Sequence, residues 1–350
     1  TMPTYAGPKV GGAVTTDVLF RGGFPGETDG PYVSQFVLQD TNMGALKIVQ
    51  QYITNMAGTD FMKDKPSFFA AQNGNPTGSL TPGAAVYLHD GRSFAAYTHA
   101  DVLYQAYFIA YLVLSSVNGA NPPLNPGNPY IGATTQNGFG TFGGPDFAST
   151  LAAIAGEAIK AVWYQKWLVH LRHRPESGGG LVYLSNTPAE PQAQGKLNAK
   201  VLNSKAVQMS KSLNNSFFLS QAFPEGSPFH PAYPTGHGTV AGACITVLKF
   251  FFDGNFVFPK PVVPASNGAS TNPYVGALTV NGELNKLAHN ISFGHGILAG
   301  IHWRSDTDAS IKLGEQVALS FLQDRAKTYN EKFRVKLQKV DGSTAEITNE

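Results

Sequence analysis

Residues 93–117, SFAAYTHADVLYQAYFIAYLVLSSV, are apolar almost throughout. Read as a helix, this stretch has no wide polar face and must be buried on most sides. A chain that contains it has to wrap other elements around it. The sequence offers several at helical spacing: TNMGALKIVQQYITNMA (41–57, opening on a threonine cap), a run over 146–174 stopped by Pro175, GHGTVAGACITVLKFFF (236–252), LNKLAHNISFGHGILAGIHWR (284–304) and a last helix over about 308–332. Pro/Gly-rich connections fill 119–145, 177–200 and 253–280, and loops that long usually carry or cover a site. The tail VKLQKVDGSTAEIT predicts a small hairpin turning at Asp341-Gly342. With no internal repeat and no composition break, the expectation is one all-α domain over 1–350. It would be a helical bundle with long loops and a minor β-hairpin.

Composition narrows the function classes. Of 350 residues, 42% are hydrophobic and only 14% charged, as in a compact globular chain. The net charge of +2 argues against a nucleic-acid or membrane-surface partner, which calls for a concentrated basic patch. No apolar run approaches the roughly 20 residues of a membrane span. Thr1 opens no recognisable signal peptide, and a processed start would look the same. The single cysteine, Cys244, has no internal partner and reads as a small buried hydrophobe.

Three segments concentrate chemistry. In KWLVHLRHRPE, Lys166, His170 and Arg174 are spaced by four and would lie along one helical face. His170 alone reads as a solvated helix end. In HPAYPTGHGTV, Pro234 and Gly236 bracket Thr235 where a helix begins. The free N–H groups of a helix start suit an oxyanion, and His237 can act as acid or base near neutral pH. In GIHWRSD, Asp306 follows His302 by four residues, and an imidazole held by a carboxylate at one nitrogen is more basic at the other. Together they describe a pocket for a phosphate- or vanadate-like oxyanion.

In this order the blocks Lys166-x7-Arg174-Pro175, Pro234-Thr235-Gly236-His237 and His302-x3-Asp306 resemble a known signature. It is Lys-x6/7-Arg-Pro, Pro-Ser-Gly-His and Arg-x5-His-x3-Asp, shared by vanadium-dependent haloperoxidases and type 2 phosphatidic acid phosphatases. The seven-residue gap, His230 and the stretches 19–36 and 90–110 resemble the bromoperoxidase branch, so the likeness spans about 19–325. Many relatives extend further at the N-terminus.

The resemblance implies the helical-bundle fold of the vanadium haloperoxidase and acid phosphatase type, with vanadate as cofactor; phosphate fits the same donors. His302 would be the one metal ligand, and Lys166, Arg174, Thr235 and the Gly236 N–H would hold the oxygens. His237 would serve as acid/base, with Trp163 and His230 lining the halide approach and Asp306 behind His302. The implied partners are hydrogen peroxide, bromide or iodide, a small organic acceptor and further copies of the chain. The implied placement is extracytoplasmic.

Two positions depart from the pattern. Thr235 stands for serine and keeps the hydroxyl. Gly296 stands where the arginine is due, with His295 beside it. Seven residues make nearly two turns, so His295 and His302 would share a face about 10 Å apart, and His295 is a candidate for part of the arginine's role. Two rivals use the same residues. One is a phosphatase in which His302 attacks phosphorus and His237 protonates the leaving alcohol; the other is a non-catalytic oxyanion binder altered at Gly296.

Overall fold

The computed structural model describes residues 7–350; residues 1–6 of the expected domain lie outside the described residues. Its helices are α1 (Thr16–Leu19), α2 (Lys65–Gln72), α3 (Gly91–His99), α4 (Gln105–Ser116), α5 (Gly144–Tyr164), α6 (Pro175–Ser185), α7 (Ala199–Leu202), α8 (Lys205–Asn214), α9 (Gly236–Phe251), α10 (Val280–Phe293) and α11 (Arg304–Ala326). Every residue of α9 from Gly238 to Phe251 is buried, and α4, α5, α10 and α11 pack around it. This is how a helix without a polar face is accommodated.

Small residues set the closest of these contacts. A Cβ on Gly242 would fall 2.0 Å from the Ile311 carbonyl oxygen, and one on Gly314 would fall 2.0 Å from that of Thr239. The two glycines let α9 and α11 touch backbone to backbone. The apolar core continues from this seam into α4, α5, α10 and the C-terminal hairpin. Cys244 lies in it, fully buried and free, and burial pushes its thiol up.

α10 buries Glu283, Asn285, Lys286, His289 and Asn290 as well as its apolar residues. Their partners lie in the segment 24–36. Ser34 N donates to Asn290 Oδ1 (2.9 Å), Gln35 N to Glu283 Oε2 (2.7 Å) and Lys286 Nζ to the Asp29 carbonyl (2.8 Å). Glu27 bonds His289 Nδ1 directly.

Several predicted boundaries change. Residues 41–57 are not helical: β1 (Thr41–Met43) turns at Gly44, φ +59°, into β2 (Leu46–Ile48), and β3 (Tyr52–Asn55) pairs with β4 (Pro82–Val86). The run 93–117 is two helices, α3 and α4, broken around Asp101. The run 146–174 leaves the α geometry after Tyr164 for a π-helical turn, Gln165–His170, and Leu171 then takes a left-handed φ of 47°. The run 284–304 is α10 followed by a second π-helical turn, Gly294–Leu298, so His302 lies on the loop before α11. The connection expected at 177–200 holds most of α6, and 253–280 includes the pair β5 (Val262–Pro264) and β6 (Thr271–Pro273). The tail forms the hairpin β7 (Arg334–Gln338) and β8 (Thr344–Thr348) as predicted. The fold is mainly helical, with four two-stranded antiparallel sheets among the described residues rather than one hairpin.

Candidate active site

The two π turns and the starts of α6, α9 and α11 converge. Lys166, from the first π turn, is fully buried, and its Nζ donates to the carbonyls of Pro231 (2.7 Å) and Ala232 (3.2 Å). Arg174 sits just before α6, also buried, and donates to the carbonyls of His230 (2.8 Å) and Ile301 (3.1 Å). Lys166 and Arg174 therefore meet by convergence of a π turn and a helix start, not along one helical face. His170 is exposed and packs edge-on against Tyr233.

Arg174 Nη1 lies 3.2 Å from His302 Nε2. A guanidinium only donates, so Nε2 is the accepting nitrogen and Nδ1 carries the proton. That proton points to Asp306 Oδ2 at 3.2 Å. Asp306 is fixed in turn by the Trp303 N–H (2.9 Å) and by Arg172 Nη1 (2.8 Å). The lone pair of His302 is thereby aimed into the cation cluster.

Thr235 is the N-cap of α9, yet its hydroxyl caps nothing: Oγ1 is buried without a partner. Its own N–H donates to the Asp306 carbonyl (3.3 Å), tying the start of α9 to that of α11. Gly236, the first helical residue, has no intrahelical acceptor for its N–H. His237 follows, with Nε2 3.1 Å from Asp101 Oδ1 and its ring stacked on that of His295 at 3.6 Å. His295 lies 5.7 Å from His302 ring to ring, closer than two helical turns allow. Trp163 packs on His230 at 4.7 Å.

Electrostatics define what this cluster lacks. Burial, then the neighbouring Arg174, lowers Lys166 to about 7 against the pull of Asp306. Burial lowers Arg174 to about 10. Burial, then Arg174 and Lys166, lowers His230 to about 4. Burial, then His237 and the two cations, holds His295 well below the usual imidazole value, and burial, then Arg174, His295 and Lys166, does the same to His302. Asp306, raised by burial, is the carboxylate behind His302 and is already shared with Arg172. Two buried cations, an unpartnered hydroxyl and a free helix start make a donor set for an oxyanion. Among the described residues no group of three or more His, Cys, Asp or Glu is placed to hold a metal cation. A cavity of about 410 Å³ reaches His237 and His295 from outside, and another of about 350 Å³ opens on Arg174 and His230.

The chosen residues thus come together. Sequence reasoning missed Asp101 and Arg172. Asp101 is the only carboxylate within the apolar run 93–117, a signal for a partner elsewhere.

An oxyanion seat at helix ends inside a helical bundle is the class of site described. Residues 147–331 match the family described as VCPO second helical-bundle domain, and the chain belongs to that family. It is 35% identical to the vanadium-dependent bromoperoxidase of Corallina officinalis, over 96% of this chain and 64% of the relative. To the enzyme of the same name from Ascophyllum nodosum it is 32% identical, over 94% and 61%. The homohexameric structure of the second vanadate-dependent bromoperoxidase from Ascophyllum nodosum superposes with a TM-score of 0.90 at 28% identity, over 99% of this chain and 64% of that one. The chain spans somewhat less than two thirds of the length of these relatives.

Proposed function

We propose that this chain is a vanadate-dependent haloperoxidase that uses hydrogen peroxide to oxidise bromide or iodide to hypohalous acid, which halogenates a small organic acceptor. The observation that carries it is the buried, unpartnered hydroxyl of Thr235 at the start of α9, a residue whose N–H is tied to Asp306, the carboxylate behind the His302 that accepts from buried Arg174. The names of the relatives point the same way.

In this reading His302 Nε2 is the one protein ligand, oriented and made more basic by Asp306. Lys166 and Arg174 neutralise the oxygens, Thr235 and the Gly236 N–H donate to them, and phosphate fits the same seat. Bound vanadate supplies the Lewis acidity that activates hydrogen peroxide toward halide. The chain's own work is proton handling and positioning. Asp101 holds one nitrogen of His237, leaving the other to take a proton from the incoming peroxide. Trp163 and His230 wall the halide approach. Burial keeps His230 uncharged at neutral pH, so it adds no further charge beside Arg174. The protein acts as a homo-oligomer, as the solved relative is a homohexamer, and outside the cytoplasm. No helix among the described residues is long and apolar enough to cross a membrane.

The test is bromination of monochlorodimedone with hydrogen peroxide and bromide, with and without orthovanadate, beside a phosphomonoester hydrolysis assay. Vanadate-dependent bromination supports the reading. Hydrolysis inhibited by vanadate, with no bromination, overturns it.

A further inference from the structure

We infer that His295, rather than the residue at 296, takes the place of the arginine in the Arg-x5-His pattern and donates a hydrogen bond to the bound oxyanion. A one-residue expansion of the helical turn brings it there. The inference deepens the site reading above and rests on it.

By counting alone, position 296 is the equivalent, because it precedes His302 by six residues. The backbone counts differently. The turn Gly294–Leu298 is π-helical, and the Gly296 carbonyl accepts from the N–H of Ile301 (2.9 Å) and of His302 (3.1 Å). Together with the bond from Gly300 N to the Ile297 carbonyl (3.2 Å), around Gly300 at φ +84°, these form the cap that ends the turn. The extra residue lies in the π turn itself, where bonds span five residues and an α-turn's span four. With that residue discounted, His295 is the one that sits six before His302.

The side chains agree. The His295 ring stacks on His237 at 3.6 Å, reaches within 5.7 Å of His302 and has its Nδ1 buried without a partner. His302 in turn lies 3.2 Å from Arg174 Nη1, which places His295 beside the cation cluster. A side chain at 296 would instead start 3.1 Å from the His302 Cβ and 3.4 Å from Thr307 Oγ1, so that these neighbours would have to give by a few tenths of an ångström to admit it. An imidazole always carries at least one N–H, so the exchange keeps a donor while giving up the bidentate fork and a permanent charge.

The experiment is calorimetric titration of the purified chain with inorganic phosphate and with orthovanadate. Wild type, His295→Ala, His295→Gln, Gly296→Arg and a double variant, His295→Arg with Gly296 deleted, are compared. His295→Ala should weaken both anions about tenfold, the usual effect of losing one donor to a charged group. The double variant, which restores the family spacing, should bind at least as tightly as wild type, and Gly296→Arg should not. Wild-type affinity in both His295→Ala and His295→Gln overturns the inference, as does tighter binding by Gly296→Arg than by the double variant. If wild type binds neither anion, the site reading falls and takes this inference with it.

Discussion

Asp101 Oδ1 stands 3.1 Å from His237 Nε2, across the break between α3 and α4. A carboxylate behind an imidazole fixes the ring and sets which nitrogen is left for chemistry. The break in the apolar run is what lets Asp101 reach the start of α9.

If the chain acts as proposed, replacing Asp101 by Asn should therefore lower kcat for bromide oxidation by about 10- to 100-fold. Phosphate affinity, governed by Lys166, Arg174 and Thr235, should change little. Steady-state kinetics beside calorimetry reads both. An equal loss in both would show that the carboxylate serves the anion seat rather than the proton.

Lys166 sets a pH dependence. Its folded value near 7 lies below the 10.5 of an exposed lysine, so between these limits the unfolded chain holds more protons than the folded one. Stability of the anion-free protein should then rise with pH from about 7 toward 10.5, and the burial cost is felt in full below 7. In Lys166→Met this rise should be absent, and phosphate binding should weaken at least tenfold. Denaturant melts at stepped pH, with and without phosphate, measure it. Saturating phosphate should flatten the wild-type slope, because an ion beside Lys166 keeps it protonated.

His289 behaves in the opposite sense. Burial disfavours its charge, but Glu27 and Asp308 outweigh that and raise it from 6.5 to about 9. The stabilisation is complete below about 6.5 and is lost as pH rises through 9. It is on the order of 3 kcal/mol at most. His289→Phe should remove this fall and loosen the segment 24–36 from α10. Thermal melts over pH 6–10, with hydrogen exchange at residues 24–36, test both.

Gly314→Ala should destabilise the fold by about 2 kcal/mol or more, because the added methyl collides with backbone rather than with a side chain that can turn away. An alanine in the exposed part of α11 should be neutral. Urea midpoints compare the two.

How much of this was legible in the sequence depends on what fixed each element. The apolar run of α9 and the cap-and-turn signals of the tail hairpin are local, and both were read correctly. Residues 41–57 misled because Leu46, Ile48, Val49, Tyr52 and Ile53 fit a helix pattern as well as strands. Gly44, not hydrophobic periodicity, decided the outcome. The π turns were invisible, since nothing in KWLVHLRH or GHGIL marks a shift from four- to five-residue hydrogen bonding. The site residues were legible as types at spacings, although the spacing argument for Lys166 and Arg174 was wrong in its geometry. Asp101 and Arg172 were missed because their partners are distant in the chain.

The glycine seam between α9 and α11 has a consequence for how such a protein can vary. Thr235 caps the start of one of these helices, Asp306 lies in the first turn of the other, and His302 hangs just ahead of the second. One side of the anion seat is thus a joint between two rods, its gauge set by backbone contact at Gly242 and Gly314, while Lys166 and Arg174 face it from other elements. The long connections can lengthen, shorten or change chemistry, altering what reaches the joint, while the gauge stays the same. A bulkier residue in the seam would push the two rods apart and shift Thr235 and Asp306 together with them.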